Sequence, residues 1–322
     1  GEEEGTAVAK PRVLCVVGPT ACGKTKMGVL LAQRYDGEVV SVDSMQIYRG
    51  MEIGTAAPTK EEMAGVPHHM VGIADPAEQW SVARFTAAAD DCVQDILRRG
   101  KLPVLVGGTG LYLDAIVAGR TFAAGHAGGA VRAQLQRRLS EEGIEPLWET
   151  LREIDPAAAA RLHSADEKRI LRALEVYYET GRTITAHNEE TAALPKKYDA
   201  VYIGLRFRER EDMRALIDRR VEHMVADGLL QEVEALLSAG LPPASTALQA
   251  IGYKEFAACR RGEVTQEEAI ELVKLRSRQY AKRQLTYLRR NRDIHWLDWE
   301  KERDFDKALQ EVTEILSGLG LR

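Results

Sequence analysis

Residues 18–25 have the residue types and the spacing of a phosphate-binding loop. Every fixed position of the pattern G-x-x-x-x-G-K-[ST] is matched, and the residues are Gly18, Pro19, Thr20, Ala21, Cys22, Gly23, Lys24 and Thr25. Glycines let backbone N–H groups turn toward an anion, the lysine adds a positive charge, and the last hydroxyl can coordinate Mg²⁺. The segment therefore predicts binding of a di- or triphosphate with Mg²⁺, but it does not indicate which bond is broken.

A second candidate is Asp43, which directly follows an apolar run over residues 38–42. A carboxylate at this position can support Mg²⁺, as in many P-loop proteins, or it can accept a proton as a general base. From the residues alone, support of Mg²⁺ is the favoured interpretation.

Strands and helices alternate around these residues. Short apolar, β-branched runs predict buried strands, at residues 12–17, 38–42, 102–106 and 198–207. Longer segments between them predict helices, at residues 24–35, 80–99 and 111–117. This alternation predicts an α/β fold whose core is a P-loop NTPase-like parallel sheet flanked by helices. Because such sheets bind ligands beyond the carboxyl ends of their strands, we expect Asp43 and the loops at Gly18 and Gly107 to lie together.

The composition changes after residue 118. Between residues 119 and 197 the chain is polar and helical in pattern, and strand character returns near residue 198. This pattern predicts a helical insertion domain within one core. The predicted division is a disordered tail at 1–10, a P-loop catalytic core at 11–118 and 201–322, and a helical insertion at 119–200. Mostly helical sequence follows residue 209, with a last short strand at 294–297.

The charge and cysteine counts exclude several classes of protein. The 322 residues carry 44 basic and 49 acidic side chains, so the net charge of −5 argues against coating nucleic acid by bulk charge. Cys15, Cys22, Cys92 and Cys259 match no zinc or disulfide pattern and are expected to be reduced thiols. With no basic and apolar leader and no apolar run of about 20 residues, we expect a cytoplasmic protein without membrane association. No obligate protein partner is evident.

Six further stretches carry a specific similarity. They are Asp-Ser-Met-Gln-Ile-Tyr-Arg-Gly-Met-Glu-Ile-Gly-Thr (43–55), Pro-His-His (67–69), Val-Gly-Gly-Thr-Gly-Leu-Tyr (106–112), Lys-Arg-Ile-Leu-Arg-Ala-Leu-Glu-Val (168–176), Ile-Gly-Tyr-Lys-Glu (251–255) and Tyr-Ala-Lys-Arg-Gln-Leu-Thr-Tyr-Leu-Arg (280–289). With the loop at 18–25, the chain resembles the tRNA isopentenyltransferase (tRNA dimethylallyltransferase) family in its bacterial form, over about residues 11–299. Cys22 stands where that family more usually has Ser.

The resemblance implies a reaction and roles for the candidate residues. The family transfers a dimethylallyl group from dimethylallyl diphosphate to N6 of adenosine 37, beside the tRNA anticodon, and releases diphosphate. The phosphate-binding loop would then hold a leaving group, with Mg²⁺ as cofactor. The resemblance makes Asp43 the general base, in place of the Mg²⁺ support favoured above. It makes Arg220 the arginine that stabilises the leaving group, and it implies positioning roles for Thr20 and Thr109.

Contacts with the anticodon stem-loop are expected at two places. Gln46 and the backbone around Ser44 and Met45 are expected to read the adenine edge. By resemblance, Lys168, Arg169 and Arg172 of the insertion contact tRNA. Independently, residues 272–292 contain no acid and eight basic side chains, interleaved with Tyr280 and Tyr287. Such a segment is typical of a phosphate-tracking surface, although a solvated helix face or a set of ion-pair partners would have the same composition. The predicted tRNA contacts within it are Arg276, Lys282, Arg283 and Arg289.

Three other functions share some of these features. An adenylate isopentenyltransferase has the same loop and Asp-Ser motif but prenylates free AMP, ADP or ATP; the insertion and the basic segment favour tRNA. A small-molecule kinase would use the loop for ATP. An RNA-binding protein with an inactive loop is disfavoured by intact Lys24, Thr25 and Asp43. His68 and His69 lack the further ligands that a metal site needs, so hydrogen bonding or packing is expected for them.

Overall fold

The structure is a computed structural model that describes residues 9–108, 110–119, 129–162, 165–193 and 195–322. The expected disordered tail at 1–10 lies outside the described residues except for its last two. Thr109, a predicted tRNA contact, also lies outside them. None of the helices within the described ranges is long and apolar enough to cross a membrane.

The chain divides into two compact units. The first unit consists of the chain up to Val117 and from Lys197 onward, and the second is Ala118–Lys196. The sheet of the first unit resumes with a strand that begins at Asp199, two residues before the core was predicted to resume at 201.

The first unit is built on a six-stranded parallel sheet, which confirms the predicted fold class. Its strands are β1 (Arg12–Val17), β2 (Gly37–Ser41), β3 (His68–His69), β4 (Leu102–Gly107), β5 (Asp199–Phe207) and β6 (Ile294–Trp299). They are arranged in the order β3-β2-β4-β1-β5-β6. The short strand β3 was not predicted, because two histidines at the edge of a sheet have no apolar periodicity that would indicate a strand.

The helices of the first unit cover both faces of its sheet, and the second unit has helices of its own. Those before the insertion are α1 (Lys24–Arg34), α2 (Lys60–Met63), α3 (Val82–Arg98) and α4 (Gly110–Ala118). In the second unit they are α5 (Ala130–Glu142), α6 (Ile144–Ile154), α7 (Pro156–Arg161), α8 (Glu167–Thr180) and α9 (Ile184–Ala193). After it they are α10 (Arg210–Ala226), α11 (Leu229–Ser238), α12 (Tyr253–Arg260), α13 (Gln266–Leu288) and α14 (Phe305–Gly318).

Alternation along β1 creates the two apolar layers of the first unit. Val13, Cys15 and Val17 face one layer, and Leu14 and Val16 face the other, because successive side chains of a strand point to opposite sides of the sheet. All five are buried. Strand β1 pairs with β4 on one side and with β5 on the other, so the loop that follows it lies at the middle of the carboxyl edge.

The second unit has an apolar core of its own. Leu147, Leu151, Ile170 and Leu174 are buried in it and come from α6 and α8. A buried carboxylate, Asp155, caps α7 by accepting from Ala158 N and also accepts from Thr185 Oγ1, at 2.7 Å. The unit is thus held together by its own side chains.

The histidines at 68 and 69 have structural partners. His68 Nδ1 lies 2.8 Å from the Val66 carbonyl oxygen, and His69 Nε2 lies 2.8 Å from Glu38 Oε1. Glu38 is buried and also accepts from Arg99. The Arg99 hydrogen bonds outweigh the effect of burial and, with help from His69, lower the pKa of Glu38 to about 2. These contacts agree with the expected hydrogen-bonding role.

Candidate active site

The carboxyl edge of the sheet opens into a cavity of about 900 Å³. Its walls include residues from the loops that follow β1, β2 and β4, among them Thr20, Asp43 and Gly108. The expectation that these loops meet is confirmed. Six basic side chains line the cavity, and they are Lys24, Lys26, Lys60, Arg219, Arg220 and Arg303. Four acidic side chains line it as well, and they are Asp43, Glu52, Glu62 and Asp227.

Two positions of the phosphate-binding loop require glycine. Gly18 has φ 153°, and a Cβ atom there would lie 2.4 Å from the backbone oxygen of Leu205. Gly23 has φ 86°, and a Cβ atom there would lie 2.6 Å from the ring of Phe305. Both positions combine a backbone angle that disfavours side chains with a close approach of neighbouring atoms. The loop therefore packs closely against β5 on one side and against Phe305, beyond β6, on the other.

The loop presents part of its backbone to the cavity. Helix α1 begins at Lys24, and Gly23 before it provides no side-chain cap, so the first-turn amides and the helix dipole face the cavity without a capping side chain. Two other loop amides already have protein partners. Thr20 N donates to Gln284 Oε1 at 2.9 Å, and Cys22 N donates to the Pro19 carbonyl at 3.3 Å. Anion binding thus depends on the second half of the loop.

The side chain of Lys24 folds back onto its own loop. Its Nζ donates to the carbonyl oxygens of Gly18 and Pro19, at 2.8 and 3.2 Å. Withdrawal of the ammonium from solvent lowers its pKa to about 8, a direction that nearby Arg220 reinforces and that Asp43 opposes. Charge on this lysine is therefore sensitive to whatever anion occupies the cavity.

Binding of inorganic pyrophosphate should take up a proton at Lys24. The anion raises the lowered pKa of the ammonium back toward its ordinary value, so between about pH 8 and 10 the ligand-free lysine is largely neutral and the bound one is charged. Affinity should accordingly fall as the pH rises above 8. Calorimetry at pH 8.5 in two buffers of different ionisation enthalpy measures the uptake. Lys24→Arg is the control, because arginine stays protonated. Equal proton uptake by the two proteins would refute the prediction.

Asp43 faces the cavity from the loop after β2. Its Oδ1 accepts from Met45 N at 2.8 Å and from Gln46 N at 3.2 Å, so the side chain closes a turn and is fixed in direction. The carboxylate also lines a second, adjoining cavity. One oxygen is thus committed to the turn, and the carboxylate is placed between two cavities.

Arg220 and Thr20 meet across the same cavity. Arg220, on α10, donates from Nη1 to Thr20 Oγ1 at 3.4 Å, and both residues line the two cavities. Burial lowers the pKa of the Arg220 guanidinium, and repulsion from Arg303 adds to this effect. The predicted catalytic set of Asp43, Thr20 and Arg220 is therefore brought together by the fold.

The side-chain amide of Gln46, which was expected to read the adenine edge, already has hydrogen-bond partners in the protein. Its Nε2 donates to the carbonyl oxygens of Thr55 and Ala56, at 3.1 and 3.3 Å, and its Oε1 accepts from Ser41 Oγ at 2.7 Å. Both ends of the amide thus hold neighbouring chain segments. Reading of an adenine edge by Gln46 would require these bonds to be exchanged.

The two neighbours of Gln46 that were also expected near the adenine, Met45 and Ser44, have different surroundings. The Met45 side chain packs against the core, and its amide is taken by Asp43. Ser44 lines both cavities. Of the three adjacent positions expected to read the base, Ser44 is the one in contact with both cavities.

The second cavity has a volume of about 340 Å³. It shares Thr20, Asp43 and Arg220 with the first cavity. Many of its remaining walls are apolar, and they include Ile217, Val221, Met224, Leu229, Ile251 and Val273. Tyr280 and Arg283 of α13 also line it. The arrangement places a cation-rich chamber and a largely apolar chamber on either side of one carboxylate.

The basic segment at 272–292 is helical except for its last residues, and its first and second halves differ in their ion pairs. Helix α13 ends at Leu288, so Arg289 and the basic residues after it lie in the following turn. Three basic side chains in its first half form ion pairs: Lys274 with Glu222, Arg276 with Glu255, and Arg278 with Asp218. Arg276 therefore has a structural ion pair in addition to its predicted contact with tRNA, because its Nη1 lies 2.8 Å from the buried Glu255 carboxylate.

The basic side chains in the second half of the segment are exposed. Lys282, Arg283 and Arg289 are exposed, as are Arg290 and Arg292. Within the described part of the chain none of these five is within ion-pair distance of a carboxylate. Two of the guanidinium groups lie over tyrosine rings: Arg283 lies 5.7 Å from the ring centre of Tyr280, and Arg290 lies 5.8 Å from that of Tyr287. We call Lys282, Arg283, Arg289, Arg290 and Arg292 the basic surface.

The predicted tRNA contacts of the insertion lie on α8. Lys168 and Arg169 are exposed in its first turn. Arg172 Nη1 lies 2.9 Å from Oε1 of the buried Glu175, which also accepts from Arg132. Arg172 therefore has a structural ion pair in addition to its predicted contact with RNA.

Gln284 and Arg303 were not singled out from the sequence, and Tyr280 was noted only as an aromatic residue among basic ones. Gln284 is buried on α13 and accepts from the Thr20 amide; it also hydrogen-bonds Tyr280. Burial, together with the nearby charge of Asp43, raises the pKa of Tyr280 to about 12, so its hydroxyl is neutral at physiological pH. Arg303, beyond β6, donates to the Ala21 carbonyl at 3.3 Å. Gln284 could have been noticed within the motif at 280–289, because it is an uncharged polar residue in a stretch rich in basic ones.

A metal ion would find few protein ligands here. The described ranges contain no group of three or more His, Cys, Asp or Glu side chains suited to hold one. Thr25 and the carboxylates of Asp43 and Glu62 do line the first cavity. One hydroxyl and one or two carboxylates suit Mg²⁺, which usually keeps several waters and takes further ligands from substrate phosphates.

Comparisons with known protein families give a consistent result. A sequence model described as IPP transferase matches residues 46–291, and one described as isopentenyl transferase matches residues 11–71. The chain is 45% identical over 312 residues to the tRNA dimethylallyltransferase of Halalkalibacterium halodurans, covering 96% of this chain and 98% of the relative. It is 46% identical over 305 residues to the enzyme of the same name from Symbiobacterium thermophilum, covering 94% of each chain.

Solved structures point the same way. The crystal structure of a tRNA isopentenylpyrophosphate transferase from Bacillus halodurans is similar with a TM-score of 0.72 and 43% identity, covering 96% of both chains. A eukaryotic dimethylallyltransferase acting on tRNA is similar with a TM-score of 0.82 and 29% identity, covering 96% of this chain and 80% of the other.

Proposed function

The chain belongs to the tRNA isopentenyltransferase family, and we propose that it transfers a dimethylallyl group from dimethylallyl diphosphate to N6 of adenosine 37, beside the anticodon. That the chain is a prenyl-transferring enzyme of tRNA follows from its family. The donor and the acceptor atom are the proposal. The observation that carries it is the position of Asp43, between the cation-lined cavity and the apolar one.

The first cavity suits the diphosphate end of the donor. As the bond between oxygen and the allylic carbon breaks, negative charge gathers on the departing diphosphate. The first-turn amides of α1, Lys24 and Arg220 surround the place where that charge would develop, and preorganised donors of this kind stabilise a transition state. The hydrogen bond from Arg220 to Thr20 directs the guanidinium toward the loop.

The second cavity suits the acceptor base. A base that attacks the allylic carbon must approach from the side opposite to the leaving group, and this cavity adjoins the first at Asp43. Chemistry on a base requires that it leave the stack and enter a pocket. The apolar walls and the ring of Tyr280 offer contacts for a planar base. Arg283, at the same cavity, belongs to the basic surface.

The proton of the acceptor amine is the remaining element of the reaction. The adenine amine is a weak nucleophile because its lone pair is delocalised into the ring, so it must lose a proton as the new C–N bond forms. Asp43 Oδ2 is the oxygen not committed to the turn, and we assign to it the acceptance of this proton. The products are N6-dimethylallyl adenosine, diphosphate and the proton now on Asp43.

Mg²⁺ fits the first cavity as a ligand of the diphosphate. Thr25 and the Glu62 carboxylate would hold it together with phosphate oxygens and water, since both oxygens of Asp43 have other roles in this proposal. When bound, the ion would neutralise charge on the leaving diphosphate. The further partners in this proposal are the anticodon stem-loop of tRNA and dimethylallyl diphosphate, and the compartment is the cytoplasm.

Reversing two charges of the basic surface should weaken tRNA binding selectively. Arg289→Glu with Arg290→Glu is expected to raise KM for tRNA by at least about 10-fold at moderate salt, because phosphate contacts and their counterion release are lost. KM for dimethylallyl diphosphate should stay within about 2-fold, since neither residue lines the cavities. Steady-state kinetics with each substrate varied in turn provides the measurement.

A matched control for this reversal exists in the segment that precedes β4. Arg98 and Lys101 precede β4 and make surface ion pairs, which contribute little to stability. Arg98→Glu with Lys101→Glu changes the net charge by the same amount and should leave both KM values unchanged. Equal rises in KM for tRNA in the two double variants would contradict a specific role for the basic surface.

The proposed donor and acceptor are tested by a transfer assay with labelled substrates. Dimethylallyl diphosphate labelled in the allyl group is offered with unmodified tRNA or with AMP, and labelled ATP is offered separately. The proposal requires label on tRNA and none on AMP. Label on AMP would indicate an adenylate isopentenyltransferase, and phosphate transfer from ATP would indicate a kinase.

A further inference from the structure

The segment 299–305, from the end of β6 to the start of α14, contacts three consecutive residues of the phosphate-binding loop. Trp299 Nε1 donates to the Cys22 carbonyl at 2.9 Å, and Arg303 Nη1 donates to the Ala21 carbonyl at 3.3 Å. The ring of Phe305 lies where a side chain at Gly23 would be. The segment lies beyond residue 291, where the match to the IPP transferase family ends.

These contacts set the direction of a loop amide. In a trans peptide the carbonyl and the next N–H point to opposite sides. Because the Cys22 carbonyl is bonded to the buried indole of Trp299, the N–H of Gly23 points away from that indole. The segment thus orients one of the amides next to the start of α1.

Arg303 brings a third cation to the same loop. It lines the first cavity together with Lys24 and Arg220. In the described residues the hydrogen-bond partners of these three cations are neutral oxygens of the loop, and no carboxylate lies within ion-pair distance of them. Burial and the charge of Arg219 both lower the pKa of Arg303. Because none of the three is paired with a carboxylate, their like charges favour a multivalent anion, even though Asp43 and Glu62 line the same cavity.

We propose that Arg303 is a third cation of the diphosphate site, one that binds a phosphate group of the allylic diphosphate. This inference rests on the proposed function. The exposed guanidinium at the cavity wall is held near the loop by the Ala21 carbonyl and by Phe305, whose ring centre lies 5.7 Å from Cζ. A planar guanidinium can keep one N–H on the carbonyl and present others to a phosphate.

The competing role for Arg303 is a brace for the loop. In that role the residue would contribute packing on Phe305 and a bond to Ala21, and its charge would not matter. Arg303→Met keeps an unbranched apolar side chain for the ring and removes the charge. Arg303→Lys keeps the charge but not the planar fork. The two variants therefore separate charge from packing.

Titration calorimetry with inorganic pyrophosphate and Mg²⁺ measures the proposed contact. We expect Arg303→Met to weaken pyrophosphate binding by about 10-fold or more and Arg303→Lys to recover most of it, because a charge-assisted hydrogen bond is lost and partly restored. Inhibition of the reaction by pyrophosphate should weaken in parallel, and KM for tRNA should not change. Arg208→Ala, which removes an exposed arginine paired with Glu300, is the control and should bind as the wild type does.

Each other outcome has a defined meaning. Unchanged pyrophosphate affinity in Arg303→Met would overturn the proposal. Equal weakening in Arg303→Met and Arg303→Lys, with a lowered unfolding temperature in both, would overturn it in favour of the brace. Failure of the wild-type protein to bind pyrophosphate would instead refute the proposed function, and this inference with it.

Discussion

Replacement of Asp43 by Asn should lower the rate of prenyl transfer by at least about 100-fold, the contribution expected of a general base. Asparagine preserves the size of the side chain, and its carbonyl oxygen can still accept from Met45 N and Gln46 N, as Asp43 Oδ1 does. It cannot accept the proton of the adenine amine. Single-turnover assays with saturating donor and tRNA measure the chemical step.

The comparison of Asp43→Asn with Asp43→Ala separates two roles of this carboxylate. If Asp43 acts on the substrate, both variants lose activity to a similar degree and both keep near-normal affinity for tRNA. If it only closes the turn, the asparagine variant stays active and the alanine variant does not. Near-normal turnover of Asp43→Asn would therefore remove Asp43 from the catalytic role.

Replacement of Arg220 by Ala should slow the chemical step by about 10²–10³-fold, the loss typical when one donor to a developing charge is removed. Arg220 lines both cavities and is directed by Thr20. Its guanidinium is held in place despite burial and the repulsion of Arg303, which together lower its pKa. Burying a guanidinium beside a second one is unfavourable. The negative charge of the departing diphosphate would offset this repulsion.

Two further variants show whether the charge or the position of Arg220 matters. Arg220→Lys should recover part of the rate, because the charge remains but the second donor is lost. Arg214→Ala, on the same helix but outside the cavity walls, should behave as the wild type. Loss of rate in Arg214→Ala as large as in Arg220→Ala would indicate that α10 is merely destabilised. A rate unchanged by Arg220→Ala would exclude a role in leaving-group stabilisation.

The elements that carry the site could be predicted from the sequence because their signals are local. The strand at Arg12–Val17, the loop at 18–25 and α1 follow from an apolar run, two glycines and a helical pattern within a short stretch. Asp43 and the loop at Gly107 were expected near that stretch, because parallel strands end at one edge. This was correct, since both line the first cavity.

The partners of individual side chains could not be predicted in this way. The ion pair of Arg276 with Glu255 was not expected, because a run of basic residues cannot show which of them meets a buried carboxylate on another helix. The hydrogen bonds of Gln46 to Thr55 and Ala56 arise from a loop that folds back over nine and ten residues. Arg303 lies 282 residues from the carbonyl to which it donates. Such pairings arise only from the tertiary fold.

Mass spectrometry of anticodon-loop nucleosides tests prenyl transfer to tRNA most directly. Unmodified tRNA is incubated with the wild-type protein, Mg²⁺ and dimethylallyl diphosphate, and Asp43→Asn is run in parallel. We predict an N6-dimethylallyl adenosine next to the anticodon with the wild type and almost none with the variant. A tRNA that stays unmodified under these conditions, or a prenyl group found at another nucleoside, would contradict the assignment of this site.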